Sequence, residues 1–487
     1  MLISQAAINL TANILSAVLG LGSVFVFTRL FAPQDYGAYL LGIGFASVVS
    51  VFLVGWFRNL IISEHARDDG EDVRGLVLQG FLLVCLTAPL SIVLGIALGL
   101  NVAVAAASVA LAMAIGLFEM TQDFLRARLQ AGHALKSTVI RAAAMLVIGV
   151  MLAMIDADGT ALLIAATLAC LLAVGMQLRL VWKNTALLSV DKARLIKVAK
   201  LGLPLTVSLT LLAISSVIDR FMIANLVGTG DAGKYVSGLD LVRQTLMMPA
   251  FSLAAAFVPI AVQIYAKHGR EAVRHHLRDC VELLLAVSLP ACLGFAVIAS
   301  HIANIVLGTD FRDLAAAVMP IIAIAVLFQI LTQQYLHASF LLAGRNSFYL
   351  INTAAIIVAN LIMAYLFVSW YGAIGAAWAR LGADIVGVLS AWLLTRRSFA
   401  MPFPAARLAR VTAASLVMAL LVAAIDRHLR VSDVMACVIL IPVGLLSYAA
   451  LCWTFDIAHA RYRLHRGWTL LRGRLARCGG SAALRKM

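Results

Sequence analysis

Phe31-Ala-Pro-Gln-Asp35-Tyr-Gly37-Ala-Tyr39 follows the first apolar run of the chain, and Val227-Gly-Thr-Gly-Asp231-Ala-Gly233-Lys-Tyr235 follows a later one. Each reads D-x-G-x-Y between two long hydrophobic segments, and the two lie 196 residues apart. A second word recurs in the same order, Leu129-Gln-Ala131-Gly132-His133 and Leu341-Leu-Ala343-Gly344-Arg345, 212 residues apart. Two different words repeated in order indicate a duplicated unit of about 200 residues. The chain therefore reads as two homologous lobes with its function between them.

Working outward, the repeated words are set in a sequence of 487 residues that is 63% apolar and 13% charged, with a mean hydropathy of +0.99. Soluble domains carry about a quarter charged residues. The apolar runs repeat from end to end, and each is long enough to cross about 30 Å of hydrocarbon as a helix. The fold class expected is an all-α polytopic membrane protein with about fourteen spans, the first at 5–28 and the last at 432–453. Seven scattered cysteines without a C-x-x-C pair suggest neither a disulfide framework nor a zinc site.

The loops 58–75, 121–141, 179–200, 267–278, 345 and 396–410 and the tail after 453 collect 30 of the 38 Lys and Arg residues. The positive-inside rule makes that side cytoplasmic, with both termini on it. The net charge of +15 thus reflects topology, and no nucleic acid is expected as a partner. Both D-x-G-x-Y hairpins then face outward and both L-x-A-G turns inward, which makes the lobes parallel. The expected division is an N-lobe at 1–182, a cytoplasmic linker at 183–200 with an amphipathic surface helix ahead of Leu203-Pro204, and a C-lobe at 201–395. Two added helices follow at 396–453, then a basic tail at 454–487 whose segment Arg461–Lys486 is expected to lie on anionic lipid, the alternative being contact with a cytoplasmic glycosyltransferase. In the hairpins, Gly37 and Gly233 are expected to permit a turn, Asp35 and Asp231 to cap a helix start, and Tyr39 and Tyr235 to sit in the interfacial belt.

Ionised groups at membrane depth are costly and mark wet cavities or paired interiors. Arg29, Arg220, Arg243 and Arg380 are the candidates for a cationic cavity that receives phosphate, because a guanidinium offers phosphate a bidentate fork. Glu119, Asp123, Asp219, Asp240 and Asp384 are candidates for ion coupling or ion pairing. Spacing puts Glu119 with Asp123, Asp240 with Arg243, and Arg380 with Asp384 on shared helix faces. Structural ion pairs account for the last two equally well, and snorkelling for Asp219-Arg220. Gln329, Gln333, Gln334 and His337 occupy roughly one face of the tenth span and suit a sugar. No metal cluster or nucleophile elbow is found, so no catalytic residue is assigned.

The ordered set Asn9, Asn13, Thr28-Arg29-Leu-Phe-Ala-Pro-Gln-Asp35-Tyr-Gly37-Ala-Tyr39, Asp219-Arg220-Phe, Asp231-Ala-Gly233-Lys-Tyr235 and Tyr371-Gly-Ala-Ile-Gly375 resembles the polysaccharide transport branch of the multidrug/oligosaccharidyl-lipid/polysaccharide (MOP) superfamily. The resemblance covers nearly the whole chain. It implies a flippase of the bacterial inner membrane that moves undecaprenyl-diphosphate-linked oligosaccharide repeat units outward by alternating access, with H+ or Na+ coupling and no other cofactor. It also implies a central cationic cavity, while the Arg candidates carry over only as a cavity type. Expected partners are the lipid-linked oligosaccharide, membrane lipid and the polymerase or glycosyltransferases of the same synthesis, with the protein itself a monomer and not an enzyme. The alternatives are a drug or cation antiporter of the same superfamily and a membrane-bound polysaccharide polymerase or ligase. Twelve spans with an acidic cavity mark the antiporter, and a sizeable outward loop marks the enzyme.

Overall fold

The computed structural model describes residues 15, 18–65, 71–128, 130–155, 158–183 and 192–457. The start of the first expected span with Asn9 and Asn13, the linker residues 184–191 and the basic segment Arg461–Lys486 lie outside the described residues. Among the described residues the regular structure is helical, as a membrane interior requires of segments that must satisfy their own backbone groups.

The helices are α1 (Val18–Leu30), α2 (Pro33–His65), α3 (Glu71–Cys85), α4 (Ala88–Ala97), α5 (Val102–Ala127), α6 (Ala131–Ala153), α7 (Gly159–Gly175) and the short α8 (Leu178–Val181). Then come α9 (Lys192–Leu226), α10 (Thr229–Val306), α11 (Thr309–Ile330), α12 (His337–Leu342), α13 (Asn346–Arg396), α14 (Ala405–His428) and α15 (Asp433–Thr454). Nine of them are long and apolar enough to cross a membrane. The pair α3 and α4, bent by 48° and restarted with a proline in the first turn, makes a tenth span. At 78 and 51 residues, α10 and α13 are each too long for one crossing. Each breaks at a glycine in the left-handed region, Gly269 with φ +78° and Gly372 with φ +61°, where a side chain would be strained. Counting both halves of each, and the shorter apolar α1 and α7, gives fourteen segments. The protein is a multi-pass membrane protein.

Residues 192–200 of the expected linker are helical and run without interruption into the rest of α9. Between α11 and α12, residues Leu331–Leu336 form a π-helix. It widens the turn by a residue, so Gln329, Gln333, Gln334 and His337 do not keep the single face that a 3.6-residue period gives them. Gln329 and Gln334 are buried.

The described chain divides into two compact units, one of Met1–Gln244, Ile302–Ile322 and Leu350–Gly387, the other of Thr245–His301, Ala323–Tyr349 and Val388–Met487. In the first, α2 is the central helix and packs on α5, α7 and α9, while α6 packs on α7. Val54, Phe57, Phe81, Met120 and Phe124 form a buried cluster there, with Trp56 stacked on Phe57. In the second unit α14 packs on α15. His301 of α10 ties both to that unit, its Nδ1 lying 2.6 Å from Asp433 and its Nε2 2.9 Å from Asp426. Outward-facing residues of these helices, such as Leu420 and Leu446, are exposed as a lipid-facing surface requires.

The repeated hairpins meet inside the first unit. The words begin α2 at Pro33 and α10 at Thr229, again 196 residues apart. A methyl group on Gly37 would overlap the Thr229 carbonyl oxygen, and one on Gly233 would lie 2.5 Å from the Pro33 carbonyl oxygen and 2.9 Å from the Gly37 Cα. The contact is reciprocal, each glycine facing the first residue of the other helix, as in a two-fold interface. It corrects three readings of the hairpin. Gly37 and Gly233 lie within helices and serve close approach, not a turn. Asp231 does not cap α10, whose cap is Gly228; it sits in the first turn, 3.5 Å from Lys234. Tyr39 and Tyr235 are buried, not interfacial. Asp35 is in the first turn of α2, at the electropositive helix end that favours a carboxylate.

Candidate functional site

Near the hairpin contact, α1, α2, α5, α6, α7 and the first part of α10 line a cavity of about 500 Å³. Its aromatic wall is Phe27, Tyr36 and Tyr39, with the two tyrosine rings 5.6 Å apart. Its polar groups include Arg141 of α6, Asp240, Arg243 and Gln244 of α10, and Ser23 of α1. The volume is that of a small-ligand site.

The charge of this cavity is decided by where its one lining carboxylate is spent. Asp240 accepts from Arg220 at 2.9 Å, and the ion pair expected from the i,i+3 spacing of Asp240 and Arg243 does not form. Arg243 makes no hydrogen bond or close ion pair with a described residue. Arg141 lies over the Phe118 ring, 4.8 Å from its centroid, and its Nε is buried without a hydrogen-bond partner. Two guanidinium groups thus reach the cavity with donors to spare. Arg donors in a poorly solvated site favour an oxyanion, to which they bind with paired, charge-assisted hydrogen bonds.

The other expected site residues go elsewhere. Asp219 is fully buried and gathers three helices: Asn360 donates to it at 2.6 Å, Tyr235 at 3.4 Å, and Arg380 lies 3.6 Å away. Arg380 also donates to Asp384 at 3.1 Å and to the Ser215 carbonyl at 3.2 Å. The Arg380 and Asp384 pair forms as its spacing predicts. The Arg380 guanidinium is engaged by Asp384, Asp219 and the Ser215 carbonyl, and neither Arg380 nor Asp384 lines the cavity. Asp219 and Arg220 are both buried, which replaces the snorkelling alternative.

Arg29 is exposed and lies over the Phe25 ring, donating to the carbonyls of Phe25, Ile305 and Val306. It closes the C-terminal turn of α10, where carbonyls lack helical partners. The neighbouring Thr28 hydroxyl accepts from the Gly308 amide at 3.0 Å. Glu119 and Asp123 are bridged by Arg58 of α2, which donates to Glu119 and, at 2.7 Å, to Asp123; Arg126 lies 3.6 Å from Asp123. That cluster holds α2 to α5.

The residues that sequence reasoning missed are Arg141 and Arg58. Both fall where a span meets a basic loop, and both were counted as topology charges. Arg141 was legible as an exception, since it stands inside the apolar run that begins near 139.

The model of the polysaccharide biosynthesis protein family matches residues 26–316. No curated protein sequence matches the chain. Among solved structures, "Lipid II flippase MurJ, inward closed conformation" is similar at a TM-score of 0.76 and 18% identity, covering 93% of this chain and 98% of that one. An inward-facing multidrug resistance MATE family transporter of the MOP superfamily is similar at a TM-score of 0.58 and 17% identity, covering 81% of this chain and 94% of that one. At these identities the likeness is one of fold alone, the fold shared by these two transporters. Since the family model spans more than half of the 487 residues, the chain belongs to the polysaccharide biosynthesis protein family.

Proposed function

We propose that the protein is a flippase that carries undecaprenyl-diphosphate-linked oligosaccharide across the bacterial cytoplasmic membrane for polysaccharide synthesis, by alternating access between lobes at 1–182 and 201–395. The observation that carries this reading is the cavity of about 500 Å³ in which Arg141 and Arg243 have donors unspent beside Tyr36 and Tyr39. A diphosphate and its sugars cannot cross hydrocarbon unaided, since each unpaired polar group costs several kcal/mol there. Two guanidinium forks match the diphosphate, and the tyrosine faces match a sugar ring. Membership in a polysaccharide biosynthesis family supports the substrate class, and the flippase named in the 0.76 structural match acts on a lipid-linked substrate.

In this reading Arg141 and Arg243 bind substrate, while Arg29, Arg220 and Arg380 hold the helices that shape the site. The charge of the loops assigns both termini to the cytoplasm, and the polypeptide makes and breaks no covalent bond of the substrate. The test is leaflet-resolved accumulation of the lipid-linked repeat unit in cells lacking the gene. The expected result is accumulation on the cytoplasmic face, rescued by wild type and not by Arg141→Ala or Arg243→Ala. Accumulation of unpolymerised units on the outer face overturns the reading and moves the protein to the polymerase or ligase class.

A further inference from the structure

Met401, Pro402, Phe403 and Pro404, between α13 and α14, form one wall of a second cavity of about 380 Å³; Arg274 and Arg278 of α10 and Arg407 of α14 form the rest. All seven residues belong to the second compact unit, and none lines the cavity of Arg141 and Arg243. The wall is a fixed one. Two prolines restrict its backbone, Tyr335 donates to the Pro402 carbonyl at 2.6 Å, and the Tyr335 and Phe403 rings pack edge to face.

Among the described residues no acidic side chain lines this cavity. The carboxylates behind it are spent on one guanidinium nitrogen, Nη1 of Arg407, which lies 2.8 Å from Asp279 and 3.2 Å from Glu282. Arg278 makes no hydrogen bond or ion pair with a described residue. Among the described residues Arg274 reaches only the exposed Glu271, at 3.4 Å, and its buried Nε has no partner there. Arg274 and Arg278 are four residues apart, so their like charges share a helix face. The N-terminal end of α14 at Pro404 adds its positive dipole. Three guanidinium groups and a helix N-terminus thus border a partly open space whose described lining includes no carboxylate.

We propose that this cavity binds a phosphate group. Guanidinium forks match phosphate geometry and charge, and the volume admits a phosphate with part of the ester that carries it. Residues 267–278 and 396–410 belong to the basic loops, so the positive-inside rule sets the cavity at the cytoplasmic surface, within reach of anionic headgroups and of soluble phosphate esters alike. The site is independent of the flippase reading, because it asks nothing of the first cavity.

The test uses the full chain purified in detergent and stripped of lipid. Native mass spectrometry measures retention of phosphatidylglycerol against phosphatidylcholine of the same chain length, and thermal unfolding measures stabilisation by inorganic phosphate and pyrophosphate. Arg278→Gln removes a side chain with no protein partner to lose, Arg278→Lys keeps the charge, and Arg430→Gln is the control outside the cavity. The expected result is a preference of at least tenfold for phosphatidylglycerol, or a phosphate-dependent rise in unfolding temperature, lost in Arg278→Gln, largely kept in Arg278→Lys and unchanged in Arg430→Gln. The lipid preference identifies a headgroup as the source, and the phosphate effect alone identifies a soluble ester. Binding of neither probe, or binding by Arg278→Gln equal to wild type, overturns the proposal.

Discussion

Gly37 and Gly233 leave no room for a methyl group between the two helix starts, so Gly37→Ala forces α2 and α10 apart. Overpacking of this kind costs about 1–3 kcal/mol, and the expected outcome is a lower unfolding temperature in detergent together with lost rescue of polysaccharide synthesis in cells. Arg380 presents the opposite case, a group whose removal leaves charge behind. Arg380→Ala takes the guanidinium from the buried Asp384 and leaves Asp219 with Asn360 and Tyr235, and losing one partner of a buried pair costs about 3–5 kcal/mol; Arg380→Ala with Asp384→Asn should unfold less readily than Arg380→Ala alone. Calorimetry or a dye-based melt checks the order of the two. At this scale the sequence was partly legible. The i,i+4 spacing of Arg380 and Asp384 predicts their bond because both lie on one helix. The partners of Asp219 come from α10 and α13, 16 residues away for Tyr235 and 141 for Asn360, and no local spacing encodes them. Asp240 and Arg243 share a face, yet Arg220 from the preceding helix offers Asp240 a better-placed fork.

Helix existence follows from apolar runs, since hydrocarbon permits few alternatives, and this is why the spans could be read from hydropathy. Helix interruption follows from single residues. A 78-residue helix would measure about 117 Å at 1.5 Å per residue, so α10 must break, and Gly269 is where the backbone does so. Nothing lies within 4 Å of a side chain added at Gly269 or at Gly372. Gly269→Ala and Gly372→Ala should therefore cost the strain of a backbone conformation that glycine alone adopts readily, about 1–3 kcal/mol, with no clash to add and with transport retained; loss of transport in a variant that melts like the wild type would contradict this. The π-helical stretch Leu331–Leu336 was not legible, because any reading by helical face assumes the α period throughout.

At the scale of the whole molecule the repeated words predict two related halves, and the two helices that the words begin, α2 and α10, touch reciprocally within the first compact unit. A side chain at Gly230 would start 3.2 Å from the Gln34 Cγ, a separation suited to a disulfide. In Gln34→Cys with Gly230→Cys, oxidation should join α2 to α10 and stop transport, and reduction should restore it; undiminished transport by the oxidised protein would count against alternating access. The same contact bears on ancestry. A self-complementary patch of this kind is what two identical subunits use to dimerise, but identical subunits must also furnish any pocket on their axis with matching pairs of side chains. Here the positions 196 residues before Asp219, Arg220, Asp240 and Arg243 are Ser23, Val24, Gly44 and Ser47. On the proposed duplication, the seam keeps the symmetry of a homodimer while the charges depart from it, a freedom open only to halves encoded in one polypeptide, and one that the proposed cargo, with a diphosphate at one end, would reward.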